Sequence, residues 1–314
     1  MTGEEEVLCR DVNGVLHRVR LAERGPFATP GSMLEQRLVT GPNDATFLRK
    51  SVPAEAGRRE RRLYDLLDNE IRVIAHLTRV IGGRCAELPT LVGYNVDVEE
   101  PFVLLRPYLG QPATEVVRAL DPDRQREFQV GMLRVLHLIA GAGVVHGALS
   151  LDSLRWNGTT VQLVDFERAQ LAGEPRHTGS GPWQSPERLH GVGLTDARDD
   201  VWSAAVLIRE LVLGPQALAA PADQAADPER LRQRLGRVFQ PVDQRPSAAE
   251  LLSAMTRRAV PPVRLADPRS ALAEGYRMFD EARGRKGVPP PAGPPHTPPP
   301  NGRRGWRRLL GGGQ

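Results

Sequence analysis

The sequence predicts an α+β fold in two parts, a small antiparallel sheet carrying one helix followed by a larger, mainly helical part. Three observations predict it. Runs that alternate apolar and polar side chains crowd residues 7–50 and return at 91–105. One strongly periodic helical stretch, Tyr64–Val80, lies between them, with Leu66, Leu67, Ile71, Ile74 and Leu77 on one face. Beyond residue 113 helical spacing dominates.

The first strands read as Val7–Arg10 and Val15–Leu21, alternating about the turn Asp11-Val12-Asn13-Gly14. Met33–Val39 then leads through Gly41-Pro42-Asn43-Asp44 into Ala45–Lys50, where Leu48 and Lys50 share a face by the period of two. The intervening LAERGPFATPG reads as an ordinary surface turn. Leu91–Asn95 and Pro101–Leu105 are two further strands, and Arg106–Gly110 is a linker into the helical part. Asp121-Pro122-Asp123 is a cap signal for a long helix, Arg124–Ala142, whose Phe128, Met132, Val135, Leu136 and Ile139 form a core stripe. Leu154–Trp156 and Val161–Val164 flank Asn157-Gly158, the dipeptide that most strongly marks a tight hairpin. Ala248–Arg257 is the last helix before the tail.

Composition narrows the function classes. Hydrophobic residues make up 40% and charged residues 25% of the 314, as in an ordinary soluble domain. No apolar run reaches the about 18 residues that span a bilayer. The acidic start MTGEEEVLCR is not a signal peptide, and two cysteines without metal spacing fit a reducing cytoplasm. The net charge is +4, yet residues 261–314 hold ten basic and four acidic side chains, so the first 260 residues are slightly acidic and a basic groove for nucleic acid is not indicated. Of 42 basic residues only Lys50 and Lys286 are lysines. Such a bias is that of GC-rich coding, which points to a bacterial source. Lys50 therefore invites the question of what a compact ammonium does that a guanidinium cannot.

The chain is organised around residues 144–166, VVHGALSLDSLRWNGTTVQLVDF. A His-containing loop, a hairpin and then Asp165-Phe166 resemble the catalytic loop and metal-binding strand of the protein-kinase family, His-Arg-Asp-Leu-x-x-x-x-Asn followed by Asp-Phe-Gly. His146, Leu149, Asp165 and Phe166 match that pattern. Further matches are Lys50 at the end of a third strand, Glu70 on the following helix, and Ser185-Pro186-Glu187 as the Ala-Pro-Glu closure. Asp200-Val201-Trp202-Ser203 stands for the Asp-x-Trp-Ser helix, and Arg245-Pro246-Ser247 for the late Arg-Pro-Ser signature. The resemblance spans about residues 7–258.

The resemblance implies a two-lobed protein kinase-like fold, with a small antiparallel β-sheet lobe over about 7–105 and a larger, mainly α-helical lobe over about 106–260. It implies a nucleotide site built by Lys50, Glu70 and Asp165, with ATP and Mg²⁺ as cofactors and Asp165 as the metal ligand. It also implies two scaffold pairs, Arg245 with Glu187 and Asp200 with the backbone about His146. The departures remove the chemistry. Ala148 stands where the catalytic Asp belongs, Ser150 where the loop lysine belongs, Ser153 where the metal-binding Asn belongs, and Glu167 in place of the Gly. Phosphoryl transfer is mostly positioning and charge neutralisation, and Ala148 cannot accept a proton. Pro26, Pro30 and Pro107 also remove backbone donors that would face a phosphate or the adenine edge. No catalytic residue is assigned. The implied function is a pseudokinase, a regulatory or scaffolding module without phosphoryl transfer. The alternative is an active Ser/Thr kinase or another nucleotide-dependent transferase with relocated carboxylates, Glu167 with Asp165, or Asp152.

Around the domain, residues 1–6 form an acidic end. Residues 261–287 read as a tail helix, 288–300 as a Pro-rich extended linker, and 301–314 as an Arg/Trp motif. Trp306, Leu309 and Leu310 among four arginines suggest docking of a protein partner, and the Pro-x-x-Pro spacing an SH3-like ligand.

Overall fold

Residues 4–82, 85–220, 222–225 and 227–266 are described by the computed structural model. The first four strands are β1 (Glu4–Arg10), β2 (Leu16–Phe27), β3 (Glu35–Thr40) and β4 (Thr46–Ser51). Helices α1 (Ala54–Arg59) and α2 (Arg62–Ile81) follow, then β5 (Leu91–Asn95) and β6 (Phe102–Leu105). These six strands are antiparallel and close into a barrel, in the order β1-β2-β3-β4-β6-β5.

This overturns the expected fold class. A two-lobed kinase-like fold with a small antiparallel sheet lobe is not what the chain forms. The sheet has no open edges, because β1 returns to β5 through the pair Arg10 and Tyr94. Gly93 is the physical reason. A Cβ at that position would stand 3.0 Å from Cys9 Sγ and 3.2 Å from the Arg10 carbonyl oxygen, so a side chain would hold the two strands apart. Asn95 fastens the seam by donating from Nδ2 to the Leu8 carbonyl, 2.8 Å away.

Strand alternation sorts the barrel's side chains into two cores. Val7, Cys9, Leu21, Val39, Phe102 and Leu104 pack together, with Phe47 and Val92 against them, as the barrel filling. The opposite face of β4 and β6 presents Leu48, Val103 and Leu105 to Leu67, Ile71 and Ile74 of α2 and to the helical core beyond. Lys50 lies on that same face, in register between Gln36 of β3 and Val103 of β6. The stretch expected as a surface turn is instead the second half of β2, which pairs with β3 as far as Phe27 through a bulge at Glu23 and Gly25. Pro26 is tolerated there because β2 has run past the end of β1, whose pairing stops at Ala22.

After the barrel come β7 (Gln111–Pro112), α3 (Ala113–Val116), α4 (Pro122–Gly141), β8 (Val144–Val145), β9 (Leu154–Trp156), β10 (Val161–Leu163) and β11 (Gln170–Leu171). Then come α5 (Pro186–Leu189), α6 (Arg198–Leu213), α7 (Glu229–Leu235) and α8 (Ala248–Thr256). Among the described residues that makes eight α-helices. Asp121 caps α4 by accepting from the amides of Asp123 and Arg124, as its sequence signal predicts. The β9–β10 hairpin turns at Asn157, whose Oδ1 accepts from the Thr159 and Thr160 amides, and at Gly158 with φ +97°. Ser247 and Glu250 cap α8 reciprocally.

Residues 261–266 have no regular structure, since Pro261 and Pro262 lack the amide hydrogens a helix needs. The helix expected at Pro268–Arg285 within the 261–287 segment, the Pro-rich linker and the Arg/Trp motif lie outside the described residues.

Candidate functional site

Four distant pieces of chain converge on Lys50. The β4 strand carries its side chain inward, and no part of it is exposed. The apolar face of α2 delivers Glu70, equally buried, at 2.6 Å from Nζ. Past β10 the chain turns at Asp165 in the left-handed region, φ +62° and ψ 64°, a conformation Asp tolerates better than most residues. That turn places Asp165 Oδ1 at 3.0 Å and Glu167 Oε1 at 2.8 Å from the same ammonium. Lys50 thus donates to Glu70 and Asp165, with Glu167 as a third ion-pair partner. Asn69 of α2 holds the turn by donating from Nδ2 to the carbonyls of Phe166, Glu167 and Ala169.

The turn after β2 closes over this cluster. Thr29 donates to Asp165 Oδ1 at 3.0 Å and accepts from Gln36 Nε2 at 2.6 Å. Ser32 donates to Glu167 Oε1, and the Met33 amide donates to Oε2 at 3.0 Å. On the linker side Tyr108 is buried, its ring edge-on to Phe27 with centroids 6.1 Å apart. The Arg155 guanidinium lies 5.8 and 5.9 Å from those two rings and donates to the Gly110 carbonyl at 2.7 Å.

Whether these residues fit ATP and Mg²⁺ can be tested on the contacts. Lys50 is already in contact with three carboxylates. Three of the buried atoms without partners nearby, Asp165 Oδ2, Glu70 Oε1 and Gln36 Oε1, are acceptors, and a fourth is the Tyr108 hydroxyl, which can donate. Aromatic side chains and Arg155 fill the linker side. Asp165 Oδ2 is one oxygen toward a cation. Yet among the described residues no group of three or more His, Cys, Asp or Glu side chains is placed to hold a metal ion. The ammonium and its carboxylates are engaged with one another, so a nucleotide would have to displace at least one of these contacts.

The electrostatics follow from burial. It works against the Lys50 ammonium, but Asp165 and Glu70, with Tyr108 and Glu167, hold its pKa well above the usual value. Burial raises Glu70 to about 8, against the pull of Lys50 and with the support of Glu167 and Asp165. A carboxylic acid with a raised folded pKa binds more protons folded than unfolded between 4.5 and about 8. Its contribution to stability therefore falls as pH rises through that window, by at most about 1.4 kcal/mol per pH unit. Melting temperatures from pH 5 to 8.5 are expected to show this slope. In Glu70→Gln, which copies the protonated form, the slope flattens, and an unchanged slope would refute the assignment. The buried His146, lowered by its desolvation, adds the opposite trend equally to both proteins.

The loop before the hairpin is capped rather than catalytic. His146 is fully buried, edge-on to Phe166, and its Nε2 lies 2.9 Å from the Val164 carbonyl oxygen. Asp200 accepts from the His146 and Gly147 amides at 2.6 and 2.8 Å, as the motif order implies. Ser153 spends its hydroxyl on the Ser150 amide and carbonyl, and Ser150 caps the Asp152 amide. The position expected to be a poor metal ligand is therefore a turn cap. Arg245 Nη2 stands 2.7 Å from both oxygens of Glu187, the second implied pair.

Sequence reasoning brought Lys50, Glu70 and Asp165 together, and the structure does so too. It missed Glu167 as the third partner of Lys50, and Thr29, Ser32 and Tyr108 as cover. The spare carboxylate in place of the Gly was the one available signal. Asp152, half-buried, lines a cavity of about 500 Å³ between the 147–152 loop and the 177–188 segment, with Ala148, Arg168 and Arg188. Compared with family models and with curated proteins, the chain matches none.

Proposed function

We propose that the chain is a binding module that keeps the residue frame of a phosphoryl-transfer site without transferring phosphate, a pseudokinase in function. The observation that carries this reading is the Lys50 ammonium, held among Glu70, Asp165 and Glu167. Three groups that move phosphate are replaced at Ala148, Ser150 and Ser153. Those that hold shape, Asp200 with the His146 backbone and Arg245 with Glu187, are in contact. Support comes from the motif residues and their contacts alone, the barrel having removed the fold class as a ground. The rival transferase using Glu167 has less support, because Lys50, Ser32 and the Met33 amide already engage that carboxylate.

Recruitment of a protein partner is assigned to the C-terminal segment with its Pro-rich run, Trp306, Leu309 and Leu310. The two cysteines are free, which suits a reducing cytoplasm. Among the described residues no helix is long and apolar enough to cross a membrane.

The test uses the full chain with millimolar ATP and Mg²⁺. No phosphorylated product or released phosphate above a protein-free blank is expected, and ATP raises the melting temperature no more than inorganic tripolyphosphate does. Turnover that Asp165→Asn abolishes, or an excess shift with ATP that this variant loses, would overturn the reading.

A further inference from the structure

The cavity of about 500 Å³ beside the capped loop is lined by two guanidinium groups, of Arg188 and Arg168, that make no ion pair within 4.0 Å among the described residues. Arg188 of α5 is 3% exposed, and no carboxylate oxygen of a described residue lies within 4.0 Å of it. Its Nη1 donates to Gln170 Oε1 at 3.1 Å and its Nη2 to the Arg168 carbonyl at 3.3 Å, while Nε has no partner. Asp200 and Asp199 favour its charge from beyond contact, but Asp199 also balances Arg176, and Asp200 makes its hydrogen bonds to the two loop amides. Gly147 makes room for this guanidinium, since a Cβ there would stand 2.2 Å from Nη2. Arg168 also lines the cavity, exposed, with only Met33 Sδ as a side-chain contact, at 3.3 Å.

The remaining wall charges are already balanced or weaker. Arg62 and Arg72 pair with Glu60 and Asp68, and Glu167 is neutralised by Lys50. Asp65, Asp152 and His177 also face the space, and burial raises the pKa of Asp152. One further buried atom has no partner, Gln184 Oε1, an acceptor. Burial works against the Arg188 guanidinium, the distant Asp200 and Asp199 offset part of that cost, and its Nε is left without a partner. The complement of this wall is an oxyanion with several acceptor oxygens for Arg188 and Arg168 and one hydroxyl for Gln184. A phosphate group, titrating near pH 6, has that composition, and the cavity holds far more than the bare ion.

We propose that this cavity binds a phosphate monoester, with Arg188 and Arg168 on the phosphoryl oxygens and Gln184 on the protonated one. The site is separate from the Lys50 cluster and stands whether or not the reading of that cluster does. The probes are inorganic phosphate and O-phosphoserine, titrated calorimetrically and by melting temperature against chloride at equal ionic strength. Both probes are expected to bind saturably and to raise the melting temperature by a few degrees. Tighter binding of O-phosphoserine identifies an esterified phosphate as the ligand, and equal binding identifies the free ion. Arg168→Gln changes an exposed side chain, so it keeps the unliganded melting temperature and weakens both probes about tenfold. Arg188→Gln weakens them further. A shift reproduced by chloride, or unchanged affinity in Arg168→Gln, would overturn the proposal even if Arg188→Gln fails to fold.

Discussion

Replacing Lys50 by methionine is expected to destabilise the protein by about 3–5 kcal/mol, the scale for removing one partner from a buried ionic network. Methionine keeps the length and the apolar stem, so little of the loss comes from packing. What remains is Glu70, Asp165 and Glu167 facing one another at a place with at most 5% exposure to water. Each would have to protonate or draw in solvent. Arginine is no remedy, because a planar fork cannot take the place of one nitrogen lying within 3.0 Å of three separate carboxylates. That is why a chain with forty arginines keeps a lysine here. Urea denaturation of Lys50→Met, Glu167→Gln and the double variant closes a cycle. The double variant is expected to recover part of the loss, since it lacks one orphaned charge. A single-variant loss below 1 kcal/mol would mean that the cluster does not hold the pieces together.

How much of this was legible depended on whether the signal was local. Lys50 and Glu70 were readable because a period of two on β4 and helical spacing on α2 each fix a face. Asp165 was readable from motif order, as were Asp200 with His146 and Arg245 with Glu187. Barrel closure was not. It rests on a pair, Arg10 and Tyr94, whose only sequence trace is a glycine at 93 that any loop or bulge could also explain. The strand through Gly25 and Pro26 was hidden for a related reason, since both residues argue for a turn until a bulge and a missing neighbour strand are known. Glu167 was visible as an oddity but not as a ligand of Lys50, because 117 positions separate them and nothing local records the contact. The serines at 150 and 153 were judged by what they replaced. The structure shows what they do, which is to cap each other's turn.

The second large effect is expected at Asp199, which no motif singled out. Its side chain is 1% exposed at the start of α6. Oδ2 accepts from Arg176 Nε at 2.9 Å, Oδ1 accepts from Ser185 Oγ at 2.8 Å, and Arg245 Nη1 lies 3.8 Å away. Arg245 in turn packs over Trp202, 4.7 Å from the ring centroid. One carboxylate therefore balances two buried guanidinium groups, and Asp199→Ala is expected to cost about 3–5 kcal/mol in urea denaturation. Arg176 Nη2 and Arg245 Nη1 already lack partners, so the junction has no spare acceptor to redistribute. Glu187 offers the contrast. It binds the same Arg245 at 2.7 Å but is partly exposed, and Arg245 lowers its pKa despite the opposing cost of burial. Its contribution is present above the unfolded pKa and is lost as pH falls through the folded value. Glu187→Ala is expected to cost less, about 2 kcal/mol, because the buried Arg245 keeps Asp199 at 3.8 Å and the Gln240 carbonyl at 2.8 Å. The order of the two losses decides what anchors the helical part. If Glu187→Ala proved the worse, distance would outrank burial, and Arg245 would owe its position to the closure segment rather than to α6.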